Sequence, residues 1–130
     1  MSDLLKGMAA AASGMNAQST RLRIVSENIA NADTPGFRRK LVSFEAMVNG
    51  SDDSRAVAAR RVSLDQSPLE RVYDPAHPLA DAEGYHEGSN VQSMIEIADA
   101  REAQRSYEAN LRMFDQSRRM LSSLFELLRR

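Results

Sequence analysis

At 130 residues the chain has the length of one domain, or of two helices around a small central module. Its 42% hydrophobic content includes only 5% aromatic residues and no Trp, and the formal net charge of -1 gives no reason to expect nucleic acid or an anionic membrane as the main partner. The absence of Cys excludes disulfides, thiolate catalysis and Cys-ligated zinc. No run approaches the ~20 apolar residues that span a bilayer. The opening Met1–Met15 has Asp3 and Lys6 in place of a basic start, and Gly7, Ser13 and Gly14 interrupt its Ala-rich centre. It therefore reads as mature helix and not as a cleaved signal.

From Leu4 to Ile29 the apolar positions fall at Leu4, Met8, Ala11, Met15, Leu22, Val25 and Ile29, with Gln18 the one polar interruption. Alternating spacings of four and three make this the seam of a coiled-coil-like helix. A helix over Asp3–Ala30 would be about 42 Å long. Gly7 and Gly14 each cost about 1 kcal/mol against Ala, so this helix draws its stability from neighbours.

The next stretch, Ser26–Lys40, stops that helix and fixes a turn. Pro35 cannot continue a helix and pushes Thr34 towards extended angles. Pro35 and Gly36 fit the central positions of a type II turn, and Phe37 follows, placed to dock on whatever the turn folds against. Asn28, Asn31 and Asp33 have short side chains that bond nearby backbone, which suits a helix end.

Beyond the turn, Leu41, Phe44, Met47 and Val48 suit either short helical turns or an extended segment. Asn49–Ser54 is a loop by composition. Val57–Leu64 and Leu69–Tyr73 are β-prone runs separated by Asp65–Pro68, and they are expected to pair as a hairpin with a longer loop. Asp74–Asn90 is turn-rich, with Asp74-Pro75, His77-Pro78, Gly84 and Gly88.

The last run, from near Asn90, contains no Gly or Pro. Its apolar positions Met94, Ile97, Ala100, Tyr107, Leu111, Phe114, Leu121, Leu124 and Leu128 keep to one face at helical spacing. Ser89 or Asn90 is expected to cap its start. At about 57 Å it exceeds what a compact globule of this size needs. The expected fold is mainly α: an N-terminal helix over 1–33, a turn with a central β-hairpin and loop module over 34–89, and a C-terminal helix over 90–130. The long helices should pair antiparallel. Matching Leu4 with Leu128 makes paired positions sum to roughly 132.

Little here suggests chemistry. Asp74, His77, Asp81, Glu83 and His86 share one loop, but their spacing matches no dedicated zinc or calcium loop, and a solvated acidic turn explains them. No nucleophile elbow, phosphate loop or metalloprotease helix is present. Arg38-Arg39-Lys40 and Arg60-Arg61 suit solvated faces or ion pairs across a subunit contact. The expectation is a protein that is not an enzyme and takes no cofactor, metal, nucleic acid or small-molecule ligand.

Asn28, Asn31, Thr34, Pro35, Gly36 and Phe37 form a pattern that resembles the N-terminal signature of bacterial flagellar rod and hook axial proteins. Leu69–Tyr85, with Tyr73 and Pro75, resembles the central segment of the FlgC family of flagellar basal-body proximal rod proteins. Asn90-Val91 and the run Ser106, Tyr107, Asn110 resemble that family's last helix. Ser89 departs from its usual Pro, and His86 from its usual apolar residue. The resemblance implies a structural rod subunit, exported uncleaved by the flagellar type III apparatus into the periplasmic space. It would stack helically with copies of itself and other rod subunits, forming part of the hollow drive shaft. The assembly seam would then be Leu4, Met8, Met15, Leu22, Val25, Ile29, Met94, Ile97, Leu111, Phe114, Leu121, Leu124 and Leu128. An independent helical-bundle scaffold or adaptor is the alternative.

Overall fold

The structure, a computed structural model, describes residues 2–48 and 55–130, with side chains over 2–44 and 61–130. Two long helices pack side by side, α1 (Ser2–Ala30) and α2 (Ser93–Leu128). Among the described residues four strands lie between them in sequence: β1 (Lys40–Val48), β2 (Arg55–Leu64), β3 (Arg71–Tyr73) and β4 (Tyr85–Glu87). Among the described residues no helix is long and apolar enough to cross a membrane.

The helices run antiparallel, as expected, but in a different register. A Cβ on Gly7 would lie 3.7 Å from Ser117 Oγ, and one on Gly14 would meet the Asn110 side chain. Asn28 bonds Glu96. Each of these pairs sums to 124, so the register near 132 is corrected by about two helical turns. The seam that closes is made of small and polar residues. Gly7, Gly14, Arg21 and Asn28 recur every seventh position on α1, and Glu96, Ala103, Asn110 and Ser117 do so on α2. Ala11, Ala17 and Ala103 are buried. Without bulk at these positions the backbones come close, and a strict seven-residue repeat holds one face towards the partner. The stripe of larger apolar side chains lies beside this seam, which moves the register away from the one those side chains alone would set.

The strand pairing also differs from expectation. β1 and β2 form one antiparallel hairpin, so the extended alternative holds for Leu41–Val48. A bulge falls between Ser43, opposite Arg61, and Phe44, opposite Ala59. β3 pairs instead with β4, inside the stretch that reads as turns. The expected pairing of Val57–Leu64 with Leu69–Tyr73 is thereby overturned. Asp65–Pro68 is no hairpin loop because it is tied elsewhere: Asp65 N–H donates to the Arg39 carbonyl, and Arg38 donates to the carbonyls of Asp65 and Ser67. The loop expected at Asn49–Ser54 lies outside the described residues. The β1–β2 hairpin lies against α1, with Leu41, Val42 and Phe44 facing a groove shared with the buried Ile24 and Val25.

The register has a direct test, because the chain has no native Cys. Gly7→Cys with Ser117→Cys should form an intrachain disulfide on mild oxidation, since a Cβ at Gly7 would lie 3.7 Å from Ser117 Oγ, close enough for the two side chains to bridge. Met8→Cys with Leu124→Cys, the pair suited to a register near 132, should stay reduced. Non-reducing electrophoresis reads both; the opposite outcome would overturn the register.

Candidate assembly site

The place where α1 ends, α2 begins and β1 starts is one connected polar junction. Glu96, with no exposed surface, accepts from Arg39 Nε and from Asn28 Nδ2 at 3.2 Å. Arg39 Nη2 also donates to Asp99 Oδ2 at 2.9 Å, and Arg21 reaches Asp99 and Glu102 at 3.5 and 3.4 Å. A carboxylate removed from water is tolerable only when paired and hydrogen-bonded in this way. Asn28 is 1% exposed and uses both ends of its amide on one residue: Nδ2 donates to the Lys40 carbonyl and Oδ1 accepts from the Lys40 N–H, each at 2.9 Å. It thus acts as a backbone surrogate that places the first residue of β1 against α1.

The turn follows its sequence signals. Asn31 Nδ2 donates to the Glu27 carbonyl, satisfying a helix-end acceptor, and its Oδ1 accepts from Thr34 Oγ1. The Phe37 N–H bonds the Thr34 carbonyl with Gly36 at φ 74°, as the third residue of a type II turn requires. Pro35 is exposed, Phe37 is half-buried, and the Gly36 N–H donates to the Gly88 carbonyl at 3.0 Å.

Ser89 and Asn90 do not cap α2. The cap position is Gln92, which makes no side-chain cap bond. Ser89 Oγ instead donates to the Ala32 carbonyl, a bond proline could not make. Asn90 Oδ1 accepts from the Arg39 N–H at 2.6 Å, and Nδ2 donates to the Asp65 carbonyl at 3.0 Å. Both side chains are committed to distant backbone. Val91, half-buried, bonds back to Ser89 through its N–H.

In the β3–β4 module Tyr73 and Tyr85 pack with ring centres 5.1 Å apart, and the Arg71 guanidinium lies 4.5 Å over Tyr85. Gly84, at φ 89°, leaves room for Tyr73 and Pro75, which would crowd any Cβ there. Asp81 accepts the N–H groups of Tyr85 and Glu83. The Tyr85 N–H, above all, holds its carboxyl below the usual range. His77 and His86 stack at 4.0 Å. Among the described residues no three His, Asp or Glu side chains come together to hold a metal.

The large apolar residues are placed quite differently. Val25 is buried; Leu4, Met8, Met15, Leu22, Phe114 and Leu121 are half-buried. Ile29, Leu111, Ile97 and Leu124 are exposed, and Met94 and Leu128 are exposed by 81% and 73%. Ser106, Tyr107 and Asn110 are half-buried, and Asn110 Nδ2 donates to the Ser106 carbonyl. The junction residues Arg39, Glu96 and Asp99 and the glycine seam carry no motif, but the seven-residue recurrence of Gly7, Gly14, Arg21 and Asn28 is their trace in the sequence.

Residues 8–38 match the family described as flagella basal body rod protein, and residues 82–127 match the flagellar basal body rod FlgEFG protein C-terminal family. A flagellar basal-body rod protein FlgC from Agrobacterium fabrum is 44% identical over 92% of this chain and 91% of its own length. Proteins of the same description from Aquifex aeolicus and Salmonella typhimurium are each 34% identical, covering 97% and 85% of this chain and 98% and 87% of their own. The chain belongs to the FlgC family of flagellar basal-body rod proteins. Both matched regions converge on the junction: the first ends at Arg38, beside Arg39, and the second includes Ser89, Asn90 and Glu96.

Two outcomes are expected of this FlgC-family junction. Asn28→Ala should lower unfolding stability by about 1–3 kcal/mol, the cost of orphaned buried polar groups. Asn28→Asp should cost more, because it sets a second carboxylate against Glu96. Urea unfolding measures both, and equal values would refute the role given to the amide. Asp81 gives a pH signature. An unfolded aspartate at its ordinary 3.8 takes up a proton before the lowered folded carboxyl does. Its stabilisation is therefore complete above that value and is lost as pH falls towards the folded one. The near-ultraviolet circular dichroism of Tyr73 and Tyr85 should fade on acidification below about pH 4, less steeply in Asp81→Asn; matching curves would count against it.

Proposed function

We propose that the chain is a structural subunit of the flagellar basal-body rod whose own two helices close on a small-residue seam and whose larger apolar residues are held for other subunits. The observation that carries this reading is that the near-full-length relatedness to FlgC proteins coincides with Met94, Ile97, Leu111 and Leu128 lying exposed on one subunit. A soluble monomer seldom leaves such a set along one element without a partner for it. The assembly seam is accordingly Leu4, Met8, Met15, Leu22, Ile29, Met94, Ile97, Leu111, Phe114, Leu121, Leu124 and Leu128, contacting copies of this chain and other rod subunits, while Val25 is already buried within its own subunit.

The subunit works by geometry and not by catalysis. It belongs to the proximal rod in the periplasmic space, reached through the flagellar type III apparatus without a cleaved signal. An independent helical bundle would cover these side chains within one chain or a small closed oligomer, and sedimentation separates that case from an open assembly. Leu111→Glu should leave the helicity and melting of the purified chain nearly unchanged, because Leu111 is 42% exposed in the subunit. In cells it should abolish swarming, while Arg112→Glu, one residue round the helix, should leave it largely intact. Equal motility of the two variants would overturn the proposed seam.

A further inference from the structure

The two ends of the molecule carry opposite charge. From residue 65 to 92 the sequence has six acidic side chains, Asp65, Glu70, Asp74, Asp81, Glu83 and Glu87, against the one cation Arg71. This stretch sits where α1 stops and α2 starts, held there by the Gly36–Gly88 and Ser89–Ala32 bonds. From residue 116 to 130 the sequence has Arg118, Arg119, Arg129 and Arg130 against the one acidic side chain Glu126, and Arg118 also reaches Asp115 at 3.6 Å. α2 carries them to the far end, about 54 Å along its axis.

Each end also has apolar surface without cover in the subunit. A register of 124 sets Ser2, where α1 starts, opposite Ser122, so no part of α1 described lies beside the last turns of α2. Phe125, Leu127 and Leu128 are 49%, 64% and 73% exposed there. At the acidic end Tyr73 and Leu79 are 64% and 67% exposed.

We propose that the C-terminal overhang of one copy docks on the β3–β4 module of a second copy, with Leu127 and Leu128 against Tyr73 and Leu79, and Arg129 and Arg130 facing Asp74 and Glu83. The second copy is the occupant because one chain supplies both halves of the match, apolar with apolar and basic with acidic. Two basic tails, or two acidic modules, repel each other, which disfavours contacts joined tail to tail or module to module. A head-to-tail contact between different faces of identical chains closes into a ring or propagates as an open helix, according to the rotation between copies. This rests on the assembly reading above and names the faces that meet.

The test uses full-length chain, which has no Cys of its own. Leu128→Cys and Leu79→Cys, made as separate proteins, are mixed and oxidised at low ionic strength. The mixture should give an interchain disulfide in excess of either protein alone, and the excess should shrink in high salt. Adding Arg129→Glu and Arg130→Glu to the first protein should cut the yield by about tenfold. Adding Asp74→Lys and Glu83→Lys to the second should then restore it. No mixed disulfide, or a yield indifferent to both charge reversals, would overturn the docking. The rod reading is tested apart from this, by imaging basal bodies from cells lacking the chain: absent rods with no crosslink would sink the docking alone, whereas intact rods would sink the rod reading.

Discussion

A single buried carboxylate organises the subunit. Glu96 sits in the first turn of α2 with no exposed surface, and Arg39 and Asn28 are the groups that make its burial tolerable. A buried ion pair of this kind adds little net stability over apolar packing, but breaking it is costly. Its effect is therefore on specificity. α2 can slide along α1 only by pulling Glu96 away from Asn28, and β1 can shift only by losing Asn28's two bonds to Lys40. Helix register and strand placement depend on the same few groups.

That dependence explains how so thin an interface holds one register. Glycine and alanine at the seam bring the backbones close but offer little side-chain shape to resist sliding. Polar pins at one end supply the resistance, with Arg21 adding a second set to Asp99 and Glu102 a little further along. The further consequence is spatial. A seam filled by small residues leaves Met94, Leu111 and their neighbours beside it, so that one helix pair serves its internal packing and presents apolar flanks together.

The central module is built by the same principle of side chains substituting for backbone. Asp81 gathers two N–H groups of its loop, Asn90 gathers Arg39 and the Asp65–Ser67 segment, and Ser89 reaches Ala32. Two further carboxyls are held below their ordinary range by neighbouring side chains, Asp65 chiefly by the Ser67 hydroxyl and Glu27 chiefly by the Lys40 ammonium. Short strands of three residues, too small to persist alone, are kept in place by these ties.

Local chemistry made two helices, their antiparallel sense and the Thr34–Phe37 turn legible in the sequence, because periodicity and a Pro-Gly pair act over a few residues. The same holds for the rod-protein signature, whose Asn28, Asn31 and Gly36 have roles that follow from side-chain size and φ. Register and strand pairing were decided only in the tertiary structure. The apolar stripe pointed to a match of Leu4 with Leu128, but two glycines and a buried Glu96 set another, since close approach and ion pairing outweigh the alignment of large side chains. Asp65–Pro68 looks like a hairpin loop until Arg38, Arg39 and Asn90, all distant or across the turn, claim its backbone. Such choices depend on which residues meet across tens of positions, and no local pattern carries that information.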